Sequence, residues 1–177
     1  MCASCFVNSC MPRSTIEPAA PTAAFIGLGA NLGDARATLD AAFRALATLR
    51  HTTLTAASSI YRSAPIDAGG PDYLNAVVLL STRLAPRMLL TALQRIEHAH
   101  ARTRPYRNAP RTLDLDLLLY GDRQLSTPAL TVPHPRLHTR AFVLRPLAEI
   151  APGLVVPGRG AVAALLADVA GQRIDKL

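Results

Sequence analysis

The chain has 177 residues, 50% hydrophobic and 18% charged, which is enough apolar material for one core of ordinary size, and no apolar run is long enough to span a bilayer. Its net charge is +7, almost all of it arginine, because Lys176 is the sole lysine. That balance suits polyanionic partners such as nucleotides and excludes mechanisms built on a Schiff-base or phosphate-loop lysine.

Cys2, Cys5 and Cys10 all fall in the first ten residues, so no disulfide framework and no complete zinc motif is expected. Residues 1–22 lack the long apolar stretch of a secretory signal and read as a disordered leader or as a start codon called too early, with a single domain over 23–177 and a cytoplasmic location expected. Ala23 to Gly29 predicts a first strand, and Asp34 is placed to cap a helix over Ala35 to Leu49. Between them, Gly27-Leu-Gly29-Ala-Asn-Leu-Gly33 is one residue too long for a dinucleotide fingerprint. A tight turn is expected there, with Asn31 supporting a neighbouring loop.

Thr53 to Tyr61 predicts a second strand, Ser63 to Pro71 a loop, and Tyr73 to Leu84 a long third strand whose centre is buried on both faces. Pro86 suits the first turn of a second helix, and Leu89, Leu90, Leu93 and Ile96 keep helical spacing to about Ala101. A basic, proline-broken loop follows, with Arg102, Arg104 and Arg107. A fourth strand then runs from Asp114 to Tyr120 and stops at Gly121. Further on, a short hairpin is expected around Asp122 to Leu130, a third helix from near Thr139 to before Pro152, one small strand, and a closing helix Val162 to Val169. Strand, helix, strand, strand, helix, strand is the order of an α+β, ferredoxin-like βαββαβ unit. The expected architecture is an antiparallel sheet with both main helices on one face, elaborated to three layers by the C-terminal residues.

The chemistry concentrates in Arg111-Thr-Leu-Asp-Leu-Asp116. On a strand, residues two apart share a face, so Asp114 and Asp116 project together while Leu113, Leu115 and Leu117 take the other side. Two neighbouring carboxylates repel unless a cation lies between them, and an all-oxygen donor pair favours Mg²⁺ completed by water and phosphate oxygens. Arg102 and Arg111 are suited to those phosphates, with Arg104 and Arg107 as further candidates. His98 and His100 diverge on a helix and cannot chelate one metal, and the prolines flanking His134 argue against a zinc pair with His138. Tyr73 and Asn75 share a strand face and form an aromatic plate beside an amide, a pairing that suits a flat heterocycle.

Taken with Gly29-Ala-Asn-Leu-Gly33, Ser59-Ile-Tyr-Arg-Ser63, Pro71-Asp-Tyr-Leu-Asn-Ala76, Gln94-Arg-Ile-Glu97, Val132-Pro-His134 and Arg140-Ala-Phe142, the segment Pro110-Arg-Thr-Leu-Asp-Leu-Asp116 resembles the 6-hydroxymethyl-7,8-dihydropterin pyrophosphokinases of folate biosynthesis. The resemblance spans about residues 23–157 in the family's order. It implies transfer of the ATP pyrophosphoryl group to the hydroxymethyl oxygen of the pterin, with release of AMP. It further implies two Mg²⁺ ions on Asp114 and Asp116 and catalytic roles for these aspartates with Arg102 and Arg111. ATP would lie near Gln94, Glu97, Arg104, Leu117, Thr131, His134 and Arg140. The pterin would lie between Tyr73 and Phe142, read by Asn75 and by backbone at Ser63, Ala64 and Ile66. Loops around residues 67–72 and 102–110 would close over the nucleotide. A monomer without nucleic-acid or membrane partners is expected.

Two positions depart from the family pattern. Asn108-Ala109 stands where some members carry Trp-Gly, and Pro135 replaces a tyrosine beside the histidine. An RNA-binding module on the same fold would need stacking aromatics in its own motif, which a chain with 5% aromatic residues and no tryptophan does not show. A regulatory small-molecule domain without catalysis would keep the fold but release no AMP.

Overall fold

The computed structural model describes residues 20–65, 70–100 and 112–177. The first strand, β1 (Thr22–Ala30), leads through a turn to α1 (Ala35–Ala47), whose first turn is capped by Asp34: its carboxylate accepts from the Ala37 N–H at 2.9 Å. In that turn Asn31 Nδ2 donates to the Pro71 carbonyl at 3.3 Å, tying it to the loop before the long strand, as expected. Thr22, one residue before the expected first strand, is already paired with Thr82.

The predicted second strand is two strands, β2 (Thr52–Ala57) and β3 (Tyr61–Ser63), lying end to end along the same edge of β4 (Tyr73–Thr82). The break has a chemical cause at Ser58. Its N–H donates to the Val77 carbonyl at 2.9 Å while its own Oγ accepts from the Val77 N–H at 3.0 Å. A side-chain oxygen thus stands in for a strand carbonyl, and the chain jogs before pairing resumes at Tyr61. Ser63, expected to open a loop, is consequently a strand residue facing Tyr73.

After α2 (Pro86–Ala99), with Pro86 in its first turn, β5 (Asp114–Tyr120) pairs antiparallel with β1 on the side away from β4. Two short strands, β6 (Leu125–Ser126) and β7 (Thr131–Val132), form the expected hairpin. A 3₁₀ turn at Leu137–Thr139 precedes α3 (Ala141–Ile150), which therefore starts two residues later than predicted. The C-terminal residues carry more strand than expected: β8 (Val155–Val156) pairs with β9 (Gly160–Ala161), α4 (Val162–Asp168) follows, and β10 (Ile174–Lys176) returns to pair with β3. The main sheet is antiparallel throughout, in the order β10-β3-β4-β1-β5, with β2 beside β4.

Alternation along the strands divides the core. Ala24, Ile26 and Leu28 of β1, Val78 and Leu80 of β4, and Leu113, Leu115 and Leu117 face α1 and α2 through Leu39, Leu46, Leu89 and Leu93. Phe25, Val77, Leu118 and Leu119 face the opposite way, against Val143, Leu144 and Leu147 of α3 and Val162 and Leu165 of α4. Each fully buried leucine contributes about 2 kcal/mol by removal from water, so both faces are strongly anchored.

On the α3 side of the sheet, Glu149 collects four hydrogen bonds: from Ser59 N–H at 3.1 Å, Ser59 Oγ at 2.8 Å, Tyr61 OH at 2.9 Å and Lys176 Nζ at 2.9 Å. Burial pushes its pKa upward, but the bonds from Lys176, Ser59 and Tyr61 outweigh this and hold the carboxyl at about 2. Burial, followed by the bond to Glu149, raises the Tyr61 hydroxyl to about 12. A folded-state pKa below the unfolded value means the carboxylate stabilises the fold above pH 4.5 and that this contribution fades as pH falls toward 2. Glu149→Ala is expected to cost about 2 kcal/mol at pH 7, read as a lower urea midpoint, with the difference from wild type shrinking below the ordinary carboxylate pKa.

Candidate active site

The two aspartates project from β5 onto the face opposite its leucines, and both are half-buried. Register places each beside a glycine of β1: Asp114 opposite Gly29 and Asp116 opposite Gly27. On the far side of β1, Gly29 pairs with Asn75 and Gly27 with Val77. Cross-strand partners share a face, so a row runs from Asp114 through a bare backbone position to Asn75, and on to Tyr61. A Cβ built at Gly29 would meet only Asn75 Oδ1, at 3.5 Å, among the described residues. Gly29 therefore leaves a floor without a side chain, with Asp114 on one bank and the Asn75 amide on the other, while the Leu118 side chain lies 3.4 Å from where a Cβ of Gly27 would stand.

That amide is held in one orientation. Asn75 is 4% exposed, and its Nδ2 donates to Ser63 Oγ at 3.0 Å and to the Tyr73 carbonyl at 3.4 Å. A backbone carbonyl can only accept, so the nitrogen must be the atom beside it. The carboxamide oxygen is left over Gly29, presented as an acceptor toward the floor. Tyr73, two residues earlier on β4, shares this face.

The carboxylate bank is shaped by a bulge. Pairing between β1 and β5 slips between Phe25 and Ile26, which leaves Leu118 as an extra residue on β5. Leu117 and Tyr120 consequently pack toward α1 and α2, while the consecutive Leu118 and Leu119 pack the other way. The Leu118 carbonyl accepts from the His134 N–H at 2.9 Å, which docks the histidine loop against β5. His134 Nδ1 accepts from the Arg136 N–H at 3.2 Å. Burial, then the guanidiniums of Arg140 and Arg136, lower the His134 pKa to about 4, against a smaller opposing pull from Asp114. The imidazole is thus neutral at physiological pH, with its proton on Nε2.

Other candidates fall in varied places. Arg140 lies with its guanidinium 5.3 Å from the Phe142 ring centre, at the start of α3, which packs on β3 and β4. Gln94 is exposed on α2. Glu97 is 2% exposed and accepts from the Leu115 N–H at 3.0 Å, so its carboxylate anchors the peptide between the two aspartates. Leu117 is buried, and Thr131 lies in β7, paired with Ser126. Ala64 follows β3 and is exposed. Ile66, Arg102, Arg104, Arg107, Arg111 and the three cysteines lie outside the described residues, as do residues 67–69 of the first expected closing loop and all of the second. Arg136 is not among the expected site residues, and no motif or spacing in the sequence marks it. Its effect on His134 shows its proximity to the site. Among the described residues no group of three or more His, Cys, Asp or Glu side chains could enclose a metal ion, and no helix is long and apolar enough to cross a membrane.

A cation held here would have two protein carboxylates and would need other oxygens to complete its shell. That donor set fits Mg²⁺ shared with a phosphate ligand and does not fit a closed structural zinc site.

Known proteins match this chain both in sequence and in fold. The family model described as 7,8-dihydro-6-hydroxymethylpterin-pyrophosphokinase matches residues 25–152. A 2-amino-4-hydroxy-6-hydroxymethyldihydropteridine pyrophosphokinase of Haemophilus influenzae is 43% identical over 155 residues, covering 87% of this chain and 97% of the relative. The enzyme of the same name from Pseudomonas aeruginosa is 44% identical over 154 residues, covering 86% and 95%. In fold, the chain superposes on a crystal structure of HPPK-DHPS in complex with substrates with a TM-score of 0.68 at 12% identity, over 84% of this chain and 43% of that one. For wild-type Plasmodium falciparum HPPK-DHPS the TM-score is 0.67 at 12% identity, over 85% and 45%. The chain spans less than half the length of those two structures. With the family model covering most of the sequence and relatives matched almost end to end, the chain belongs to the 7,8-dihydro-6-hydroxymethylpterin-pyrophosphokinase family.

Proposed function

We propose that the glycine-floored trough between Asp114 and Asn75 is where this chain carries out its family's reaction, moving the pyrophosphoryl group of ATP to the hydroxymethyl oxygen of 6-hydroxymethyl-7,8-dihydropterin and releasing AMP. The chain is an enzyme of folate biosynthesis by its family. The observation that carries the site assignment is the register itself: two same-face carboxylates opposite two glycines, with an oriented amide beyond them. The underlying unit is read as ferredoxin-like βαββαβ, with α3 and α4 adding a third layer.

Asp114 and Asp116 would hold two Mg²⁺ ions. When bound, these supply positive charge to the triphosphate and improve AMP as a leaving group. The protein's own part is to place the reactants. Asn75 Oδ1 accepts from the heterocycle's N–H edge, and Tyr73 and Phe142 take its faces. Ser63, Ala64 and Ile66 would contact it through the backbone. Neutral His134 would donate from Nε2, and Arg140, with Arg102 and Arg111, would supply positive charge to the phosphates, with Arg104, Gln94 and Thr131 serving the nucleotide. Leu117 and Glu97 act from beneath, one through packing and the other through the Leu115 N–H. No side chain is needed as a strong base, because alignment and charge stabilisation dominate phosphoryl transfer. The enzyme is read as a cytoplasmic monomer.

The direct test is AMP formation from ATP by the wild-type chain. AMP should appear only when both hydroxymethyldihydropterin and Mg²⁺ are present. ATP consumption without the pterin, or no consumption with it, would refute this assignment.

A further inference from the structure

The family match ends at residue 152, yet the last residues of the chain touch both walls of the proposed trough. One wall is the start of α3, which carries Arg140 and Phe142. Helix starts leave backbone N–H groups without intrahelical partners, and Arg140, at the capping position, makes no side-chain cap. Gln172 takes that place from thirty-one positions away: its Oε1 accepts from the Ala141 N–H at 2.8 Å, and its Nε2 donates to the Thr139 carbonyl at 2.8 Å.

The other wall is β3, three residues long, whose Ser63 hydroxyl fixes the Asn75 amide. β10 closes the outer edge of β3 in register, Ile174 opposite Ser63 and Lys176 opposite Tyr61, and the Leu177 N–H donates to the Ile60 carbonyl at 2.9 Å. Lys176 then reaches Glu149 on α3, at 2.9 Å, and the same carboxylate holds Tyr61 of β3. Six residues therefore bridge the helix that bears one side of the trough and the edge strand that bears the other.

We infer that residues 172–177 form a clasp that sets the spacing of the trough walls, with Gln172 and Lys176 as positioning residues for substrate binding. The clasp acts on binding and leaves the phosphoryl-transfer carboxylates on β5 untouched, since β5 lies at the opposite edge of the sheet. This inference rests on the trough being the pterin site, so the wild-type chain must first show pterin-dependent AMP formation. Failure there would overturn the site reading itself.

The test is steady-state kinetics on Gln172→Ala, Lys176→Ala and the charge-conserving Lys176→Arg, with melting curves alongside. Gln172→Ala should raise KM for the pterin about tenfold, and for ATP by a smaller factor through Arg140, with kcat within twofold of wild type. Lys176→Ala should raise the pterin KM about threefold and leave the ATP KM unchanged, and Lys176→Arg should restore it. A lower melting temperature with both KM values unchanged would reduce the clasp to a structural brace and overturn the inference. So would a fall in kcat at constant KM.

Discussion

Asp116→Ala is expected to lower AMP formation by about a thousandfold, the equivalent of about 4 kcal/mol of lost transition-state stabilisation. The fold should survive, because the Asp116 side chain lies on the glycine-floored face and is half-buried, while the strand's anchoring comes from Leu113, Leu115, Leu117 and Leu118. Asp114→Ala should behave alike. The measurement is initial-rate AMP release at saturating Mg²⁺, with far-ultraviolet circular dichroism confirming the fold. Retention of wild-type activity in the Asp116 variant would eliminate the metal-and-phosphate role given to this pair.

Gly29→Val is expected to separate stability from activity in the opposite sense to a core mutation. Glycine within a strand lacks packing and loses more conformational freedom on folding, so a β-branched residue there should stabilise the sheet by about 0.5–1 kcal/mol. Space permits it: Gly29 is not in the left-handed region, and its nearest described neighbour to a new Cβ is Asn75 Oδ1 at 3.5 Å. The added methyls, however, would stand on the trough floor between Asp114 and Asn75. A flat ring could no longer lie against the backbone, and pterin-dependent turnover should fall about a hundredfold, or about 2.7 kcal/mol in kcat/KM. An equally active, more stable variant would place the pterin elsewhere. Gly27 is a less clean test, because a Cβ there already touches Leu118 at 3.4 Å.

The two variants probe one bank and the floor of the same surface, and that surface was only partly legible in the sequence. Period-two alternation in Leu113 to Leu117 put Asp114 and Asp116 on one face, because a strand's side-chain geometry is local. The helix starts at Asp34 and Pro86 were readable for the same reason, since a cap or a first-turn proline acts within a few residues. Family motifs then supplied the reaction. What lay beyond local chemistry was pairing. The jog at Ser58 depends on Val77, nineteen positions away, and the return of β10 depends on an open edge of β3 that exists only after β3 has paired with β4. A three-residue strand has too little alternation to declare itself before its partner is known.

By itself, the order of residues determined the acid pair, the arginine excess, the main helices and strands, and the class of reaction. The tertiary structure alone decided that Gly29 lies between Asp114 and Asn75, with Gly27 between Asp116 and Val77, and that Ser63 orients the amide. It also decided that Glu97 is spent on the Leu115 N–H and that Gln172 caps a helix far from it in the chain. The physical reason is the range of the interactions. Propensity, capping and face are set by neighbours within one or two turns, whereas register and long-range hydrogen bonds are set by which strands meet, and that choice is made by burial of the whole core.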